Sequence, residues 1–451
     1  MGTTEKLAQF VVNSNFDNMP PEAIDLAKDA IMDGLGVTLG GSTEASGKII
    51  AQYVKEVGGN PQAGVIGHGF KSSAPQAALA NGTMAHALDY DDVLVLMTGH
   101  ATVPILPVVL ALGETYRCSG KNIIEAFIIG IEVEGKIGSG IGRHHYDVGW
   151  HSTATLGTMG AAAAASKILG LTLAQTRNAF GIAASEAAGL RLNFGTMTKP
   201  FHAGNAAKNG IVAALLTQKG FTASESIMEN PLGFCSVLGG EGEYDLEQMT
   251  KSLGDPLAIV DPGLDMKPYP CCRVTHRCID AMLHIVEKHH PPAEEVAEVT
   301  CLTGSWSPNV LIHHRPKTPL EGKFSMEYCM ARALLDGEIG MTHFEADKVM
   351  EPKAQDLLQK VKFLHPETDD EGDPLPTEVV TVTLTNGKKF SHEVQIPKGN
   401  PENPLTKEEL VDKYRDCASL ALSSDAVDRS LDLIFHLEEQ TDITELAELV
   451  T

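Results

Sequence analysis

The sequence predicts a mainly α protein, with a large all-α helical domain and a smaller α+β domain. Up to about residue 260, segments with helical periodicity end at glycines and show almost no alternation of period two. The pattern changes at Asp261-Pro262-Gly263. Beyond it, the segment 379–397 (VVTVTLTNGKKFSHEVQIP) alternates β-branched residues on both sides of Asn386-Gly387, a pattern typical of a β-hairpin.

The first domain consists of helices bounded by proline and glycine. Pro20-Pro21 marks the start of the second helix and Gly40-Gly41 its end. The short segment VIGHGF is predicted as either a strand or a loop. The predicted helices cover residues 4–14, 21–39, 46–59, 73–88 and 121–142, and the undecided segment covers 65–70.

The smaller domain is predicted over residues 266–399. It combines a helix to about His289, an alternating strand at 297–304, a helix near 322–337 and the hairpin. After it, Thr406 and Glu409 form a capping box that opens short amphipathic helices. Because such helices need a partner for their apolar face, residues 400–451 are predicted to complete a discontinuous all-α domain with residues 1–265.

The composition excludes several classes of partner. The chain has 451 residues, 43% of them hydrophobic and 21% charged, which are ordinary values for a globular protein of about two domains. A formal net charge of −24 argues against nucleic acid or an anionic membrane as a partner. An anionic substrate would therefore need a local basic pocket.

Targeting and redox features point to a cytoplasmic protein. The N-terminus lacks a signal-peptide arrangement, and the apolar runs near 102–113 and 211–216 are too short or too interrupted to span a bilayer. The eight cysteines show no disulfide framework. Cys271 and Cys272 are adjacent and lack a CxxC partner, so neither a zinc site nor an iron–sulfur site is predicted.

Common cofactor and nucleophile motifs are absent from the sequence. It contains no Walker motif, no HExxH and no GxSxG. The glycine-rich stretch 138–144 follows a helix rather than a strand, so it is not interpreted as a dinucleotide loop. What remains is a set of polar residues at junctions between loops and helices: Asp89 with Asp91 and Asp92, His100, His151, Lys199 and Lys267.

The densest of these junctions is residues 195–210, GTMTKPFHAGNAAKNG. It places Lys199, His202 and Lys208 close together, and Pro200 favours a helix start, so we expect Lys199 just ahead of a helix N-terminus that attracts anions. The alternative is a closely packed helix of small residues whose lysines are solvated.

The other junctions have similar alternatives: a structural histidine, a solvated turn or an exposed acidic loop. Three carboxylates at the end of a helix conflict with its dipole, which is tolerated most often at a functional site. Taken together, the junctions favour a pocket for a polycarboxylate. Its lysines would supply counter-charge, and its histidines or aspartates would transfer protons.

Six segments of the chain resemble the MmgE/PrpD family, which includes 2-methylcitrate dehydratase, cis-aconitate decarboxylase and iminodisuccinate epimerase. The resemblance extends over nearly the whole chain. It implies a helical domain completed by the C-terminus, a smaller α+β lid, a homodimer, and no metal or organic cofactor. The segments are ALDYDD, GHATVPILP, GWHSTATLG, MTKPFHAGNAAKNG, MKPYPCCRVTH and KFSMEYCMARALLDG.

The resemblance also assigns candidate site residues. Two positions depart from the decarboxylase pocket, where Val93 replaces a threonine and Cys272 replaces a histidine. These departures argue against cis-aconitate decarboxylation itself and leave open the dehydration or epimerisation of a related acid. The positions that match the decarboxylase pocket are Asp89, His100, His151, Lys199 and Lys267.

The activities of the family share a carbanion-like species next to a carboxylate, which needs a base and cations. Lys199 and Lys267 are assigned to substrate carboxylates, His151 and His100 to acid–base work, and Asp89 to orienting a histidine. The further candidates for substrate binding are Arg273 and His202.

The predicted function is a cofactor-independent lyase that dehydrates a hydroxy-tricarboxylate of the 2-methylcitrate or citrate type. The alternatives are an epimerase of a dicarboxylate such as iminodisuccinate, a cis-aconitate-type decarboxylase, and a non-catalytic binding or scaffold protein. If Lys199 and Lys267 face one ligand from two domains, replacing either with alanine should lower kcat/KM by the order of 10²-fold. Such a change should barely alter stability, because it would relieve repulsion in a cationic pocket.

Overall fold

A computed structural model of the chain describes residues 1–305, 307–365 and 377–451; the other positions, all within the predicted 266–399 domain, lie outside the described residues. The described chain forms two compact units. The first comprises Met1–Asn193, Thr198–Met266 and Thr406–Thr451, and the second comprises Phe194–Met197 and Lys267–Leu405. The segment Phe194–Met197 therefore belongs to the second unit, although the sequence-based division places it in the first.

The first unit is helical apart from one small hairpin. Its α-helices are α1 (Thr3–Asn13), α2 (Pro21–Ser42), α3 (Ala45–Val57), α4 (Ala74–Ala85), α5 (Thr102–Tyr116), α6 (Gly120–Ile141), α7 (Arg143–Asp147), α8 (Ser152–Ile168), α9 (Leu173–Glu186), α10 (Thr198–Gln218), α11 (Gln248–Lys251), α17 (Lys407–Ala418), α18 (Ser424–Phe435) and α19 (Thr444–Val450). The hairpin pairs β1 (Ala63–Val65) with β2 (Phe70–Ser72) in antiparallel register. The undecided segment 65–70 is thus mainly the turn between two strands.

Small residues let the central helices approach one another closely. A Cβ atom added to Gly82 on α4 would lie 2.7 Å from the Cα atom of Gly204 on α10. One added to Gly210 would lie 2.4 Å from the Cβ atom of Ala161 on α8. Real Cβ atoms do not come this close, so the helix axes can keep these positions only with glycine there. The close approach brings the end of α4 beside the first turn of α10.

The C-terminal helices complete the first unit. A Cβ atom added to Gly36 on α2 would lie 3.0 Å from the ring of Tyr414 on α17, so these two helices are in close contact. On the same helix, Lys413 Nζ lies 2.6 Å from Asp33 Oδ1, and both side chains are buried. Lys413 also donates a hydrogen bond to the carbonyl oxygen of Tyr90. The C-terminal segment therefore contacts both the helical core and the acidic stretch around Tyr90.

The second unit is built on a four-stranded sheet. The strands are β3 (Val296–Leu302), β4 (Val361–Leu364), β5 (Glu378–Leu384) and β6 (Lys389–Val394), in the order β4-β3-β5-β6. β3 runs parallel to β4 and antiparallel to β5, and β5 and β6 form the predicted hairpin, with Val380 paired to His392. The helices are α12 (His276–His289), α13 (Pro319–Gly322), α14 (Met326–Asp336), α15 (Ala346–Val349) and α16 (Pro352–Leu357).

These elements confirm the predicted fold class, mainly α with a smaller α+β part. The burial of β5 alternates strictly along the strand, as a sheet with one covered face requires. Among the described residues, none of the helices combines the length and the apolar character that crossing a membrane would need.

The core of the first unit contains a carboxyl group that nothing balances. Glu134 on α6 is fully buried, and neither of its oxygens has a hydrogen-bond partner among the residues that the structure describes. Its Oε2 atom faces α8, where a Cβ atom added to Gly160 would lie only 2.9 Å away. Burial raises the pKa of Glu134 well above its ordinary value, and the nearby Asp92 adds to this effect. The folded protein therefore favours the protonated form of this side chain.

Replacing Glu134 with glutamine should make the protein progressively more stable than the wild type as the pH rises. The folded wild type keeps the proton, whereas the unfolded chain loses it above its ordinary pKa of 4.5, so wild-type stability falls with rising pH. The contribution is at most about 1.4 kcal/mol per pH unit, and the glutamine variant lacks it. Thermal melts of both proteins between about pH 5 and about pH 8 measure the difference. A difference that does not change with pH would contradict a protonated Glu134.

Candidate active site

The three carboxylates that follow α4 are buried, and each contacts a different group of residues. α4 ends at Ala85, and the backbone of Asp89 adopts a left-handed conformation (φ 52°) that turns the chain back. Asp89, Asp91 and Asp92 are 3%, 0% and 1% exposed. The alternative of an exposed acidic loop is therefore wrong. Three buried carboxylates need compensating groups, and each has a different one.

Asp92 is directed towards the start of α5. It accepts hydrogen bonds from the backbone N–H and the hydroxyl of Thr102, the first residue of that helix. A carboxylate at a helix N-terminus complements the helix dipole. Burial nevertheless raises the pKa of Asp92 to about 7. Asp92 therefore acts as a cap for α5 and is separate from the histidines described below.

Lys199 lies in the first turn of α10 and ties it to the end of α4. Its ammonium group donates to Asp89 Oδ1 at 2.7 Å and to His86 Nε2 at 2.8 Å. Lys199 is 4% exposed, so the alternative of a solvated lysine is wrong for this residue. The helix begins at Thr198, which places Lys199 inside the first turn rather than ahead of it. Further along the helix, the half-buried Lys208 contacts its neighbour Asn205 at 2.9 Å.

Asp91 lies between two histidines. Its Oδ2 atom is 2.9 Å from His86 Nδ1 and 2.8 Å from His100 Nδ1. Burial alone would raise the pKa of the Asp91 carboxyl, but His100 and His86, by charge and hydrogen bonding, hold that pKa well below its ordinary value. The side chain of His100 is 12% exposed, and its Nε2 atom lies 3.8 Å from Asp89 Oδ1. Of the two rings, His100 is therefore the one that solvent or a ligand can reach.

His151 and His202 complete the cluster. His151 is the residue before α8, held by a backbone hydrogen bond to the carbonyl of Gly189, and its Nδ1 atom lies 3.0 Å from His202 Nδ1. The ring of His151 stacks at 5.9 Å on that of His86. Burial, with the nearby charge of Lys199, lowers the pKa of His151 well below its ordinary value, and burial lowers that of His202 to about 4. Both rings are neutral at pH 7.

The first unit thus brings together five of the predicted residues: Asp89, His100, His151, Lys199 and His202. The other two, Lys267 and Arg273, belong to the second unit, where Lys267 is buried and Arg273 opens a short helical turn. Their part in the site stays a prediction. Of the two departures from the decarboxylase pocket, Val93 pairs through its backbone with Asp265, and the backbone N–H of Cys272 donates to the carbonyl of Lys323.

Sequence reasoning missed His86 and did not assign a role to Asp91. The only signal was that His86 stands three residues before Asp89 at the predicted end of α4. That position looks like an ordinary helix-end histidine complementing the dipole. Its function as a partner of Lys199 depends on a contact between residues 113 positions apart.

The cluster has the composition of a metal site, but a lysine takes the place of the cation. His86, Asp89, Asp91 and His100 offer ligand atoms that all lie within 4.8 Å of one another. Lys199 Nζ already donates to two of these four residues. A fixed ammonium within the donor set repels a divalent ion and uses the lone pairs that would bind it. The arrangement fits proton transfer and anion binding better than metal coordination.

Chelator treatment should therefore leave the activity of the protein unchanged. The physical reason is that the ammonium of Lys199 supplies the positive charge which a metal would otherwise bring. The purified protein would be assayed before and after dialysis against EDTA, and its metal content measured in parallel. Activity that is lost on dialysis and restored by a divalent ion would show that the predicted absence of a metal is wrong.

The chain matches two family models and several characterised proteins. The model of the MmgE/PrpD N-terminal domain matches residues 5–247, and that of the MmgE/PrpD C-terminal domain matches residues 269–439. The cis-aconitate decarboxylase of Mus musculus is 32% identical over 465 residues, covering 99% of this chain and 93% of the relative. The enzyme of Homo sapiens is 30% identical, over 99% of this chain and 94% of the relative. The enzyme of Aspergillus terreus (strain NIH 2624 / FGSC A1156) is 28% identical, over 100% of this chain and 96% of the relative. As the resemblance predicted, the chain belongs to the MmgE/PrpD family.

Proposed function

We propose that the protein is a lyase that acts on a tricarboxylate through negative charge formed on a carbon next to a carboxylate. The observation that carries this proposal is the buried ammonium of Lys199, held between Asp89 and His86 within a group of neutral imidazoles. A fixed cation stabilises the charge that develops in the transition state, and neutral imidazoles accept or deliver protons. The proposal includes a homodimer and no cofactor, as the resemblance implies, and a cytoplasmic location, as the cysteine pattern predicts.

Dehydration of a hydroxy-tricarboxylate remains the leading reaction. His100, backed by the carboxylate of Asp91, is proposed as the base that removes the proton from the carbon next to a carboxylate. The electron pair left behind forms the new double bond as the hydroxyl group departs. Binding of the negatively charged substrate raises the pKa of His151, which takes up a proton from solvent and delivers it to the departing hydroxyl, so that the hydroxyl leaves as water. Lys199 binds a substrate carboxylate in this proposal.

Decarboxylation of a cis-aconitate-type acid is the second candidate. It is supported by the relatives, since three decarboxylases match this chain over 99% or more of its length. The same groups would serve it, because loss of carbon dioxide leaves a carbanion that a histidine then protonates. Val93 and Cys272, which by the resemblance replace a threonine and a histidine of the decarboxylase pocket, argue against decarboxylation and leave dehydration or epimerisation open.

A panel of substrates tests the proposal and separates the reactions. The protein would be incubated with citrate, 2-methylcitrate, cis-aconitate and iminodisuccinate, followed by ultraviolet absorbance, release of carbon dioxide and chiral analysis. Dehydration raises the absorbance through a conjugated alkene, decarboxylation releases carbon dioxide, and epimerisation does neither. Absence of turnover, together with absence of thermal stabilisation by any of these acids, would favour the binding or scaffold alternative and contradict an enzyme.

Binding of an unreactive tricarboxylate should be coupled to proton uptake at about pH 6. In the free protein the pKa of His202 is about 4, so this ring is neutral at that pH. Bound carboxylates raise the pKa of a neighbouring imidazole and therefore make it take up a proton. Calorimetric titration with propane-1,2,3-tricarboxylate, in two buffers of different ionisation enthalpy, measures the number of protons.

The variant His202→Gln is the control for protons that come from the ligand itself. Subtracting its proton count from that of the wild type isolates the contribution of His202, since the ligand is the same in both titrations. Equal counts in the two proteins would contradict a site in which substrate charge acts on this histidine.

A further inference from the structure

Asp91 is the most buried charged residue of the cluster, and its carboxylate contacts the Nδ1 atoms of both His86 and His100. Its side chain is 0% exposed, with Oδ1 3.0 Å and Oδ2 2.9 Å from His86 Nδ1. The same Oδ2 atom lies 2.8 Å from His100 Nδ1. An ionised carboxylate only accepts hydrogen bonds, so each Nδ1 atom facing it must carry a hydrogen. One side chain thereby sets the tautomer of two rings.

The opposite side of the His86 ring gives independent evidence for the same tautomer. Lys199 Nζ lies 2.8 Å from His86 Nε2, and an ammonium group can only donate. His86 Nε2 must therefore be the bare nitrogen that accepts, which agrees with the hydrogen on Nδ1 required by Asp91. A protonated His86 would lose the bond to Lys199. The His86 ring therefore links the two groups: Asp91 orients the ring, and the ring's Nε2 atom holds the ammonium of Lys199 in place.

His100 contacts the same carboxylate as His86, but its ring is partly accessible. When His100 is neutral, the hydrogen on its Nδ1 atom faces Asp91 and its Nε2 atom, 3.8 Å from Asp89 Oδ1, carries none. The side chain is 12% exposed, whereas those of His86 and Asp91 are 0% exposed. An imidazole in this state is ready to accept a proton, and the carboxylate behind it stabilises the imidazolium that forms.

We propose that Asp91 is a positioning residue that fixes the tautomer and orientation of His100 and, through His86, the place of the Lys199 ammonium. The inference deepens the proposed function and rests on it, because His100 and Lys199 are the groups assigned there to proton transfer and to charge stabilisation. Asp91 itself does not touch substrate in this scheme. It acts by holding two reacting groups with one carboxylate.

The variant Asp91→Asn tests this assignment. An asparagine offers one accepting oxygen and one donating amide, so it can hold only one ring in the original tautomer. NMR of the isotope-labelled histidine ring nitrogens distinguishes a bare nitrogen from one that carries hydrogen. The signals of the two rings would be assigned by difference with His86→Gln and His100→Gln. We expect hydrogen on Nδ1 of both rings in the wild type and a changed state in at least one ring of the variant.

The kinetic result expected for Asp91→Asn is a fall in kcat of about 10²-fold or more, with a smaller change in KM. The matched control is Asp92→Asn, which alters the adjacent buried carboxyl group but contacts Thr102 rather than a histidine. It should leave the tautomers of both rings unchanged. Thermal melts would show whether each variant is folded.

Two outcomes would overturn the assignment. One is a wild type in which either ring carries its hydrogen on Nε2, a measurement that needs no folded Asp91 variant. The other is an Asp91→Asn protein with unchanged tautomers and unchanged kcat. Failure of the proposed function would give a different result. The wild type would turn over none of the tricarboxylates, while both rings would still show the expected tautomer. That result would support the orientation by Asp91 and contradict only the proposed reaction.

Discussion

Replacing Lys199 with alanine should remove most of the turnover and also destabilise the fold. The lost cation faces negative charge that develops on the substrate, so kcat/KM should fall by the order of 10²-fold or more. The loss of stability follows from Asp89, whose buried carboxylate would lose a partner 2.7 Å away. Removing one member of a buried ion pair costs about 3–5 kcal/mol. The sequence-based expectation of unchanged stability assumed an unpaired lysine in a cationic pocket, and that premise is wrong, because Lys199 is paired with Asp89.

A double variant separates the two effects. Asp89→Asn combined with Lys199→Met removes both charges, so it should regain much of the stability but none of the turnover. Lys208→Ala is the matched control on the same helix, because Lys208 is half-buried and bonded to its neighbour Asn205. Steady-state kinetics and thermal melts of the variants give both quantities. Near-normal kcat/KM in Lys199→Ala would contradict the proposed role of this residue in catalysis.

Replacing His100 with glycine should lower kcat by about 10²- to 10⁴-fold, the usual contribution of a general acid or base. The fold should tolerate the change better than it tolerates loss of Lys199, because the side chain of His100 is already 12% exposed. Added imidazole should restore part of the activity, since a small molecule can occupy the space beside Asp91. Rescue should increase with the fraction of neutral imidazole as the pH rises.

The control for this rescue is the glycine variant of His144, an exposed histidine on α7. That variant should show wild-type turnover and no response to imidazole. If His100→Gly keeps a normal kcat, then His100 is not the base, and the acid–base assignment would pass to His151 alone. A variant that is inactive, folded and insensitive to imidazole would indicate a role in binding instead of proton transfer.

The fold was predictable where the pattern is local. The hairpin around Asn386-Gly387 follows from alternation and a two-residue turn, and the structure confirms it, with Gly387 at a φ of 83°. The end of α4 was predicted three residues too late, because a run of alanines gives no stop signal before the polar residues. Helix ends are set by the groups that satisfy the last carbonyls, and at this end the backbone N–H of Ala87 donates to the carbonyl of Met84.

The sequence singles out most residues of the cluster but not how their side chains contact one another. Lys199, His151 and His202 could be selected because each stands at the start of a helix among small residues. The bond between Lys199 and His86 joins two helices that glycines bring together, and a single sequence carries no sign of which side chains then meet. The buried state of Lys199 was likewise invisible, because it depends on which residues cover the first turn of α10.

The contact of α17 with the acidic stretch has a consequence for how the protein is made. Lys413 on α17 holds both Asp33 and the carbonyl of Tyr90, yet it is synthesised more than three hundred residues after either of them. A chain still attached to the ribosome therefore carries the loop of Asp89 and Asp91 without this clamp. The second unit, which is nearly continuous in sequence, can fold first. Activity should then appear only once α17 has been synthesised and can pack against the first unit, so that a chain still lacking this helix does not act on the substrate.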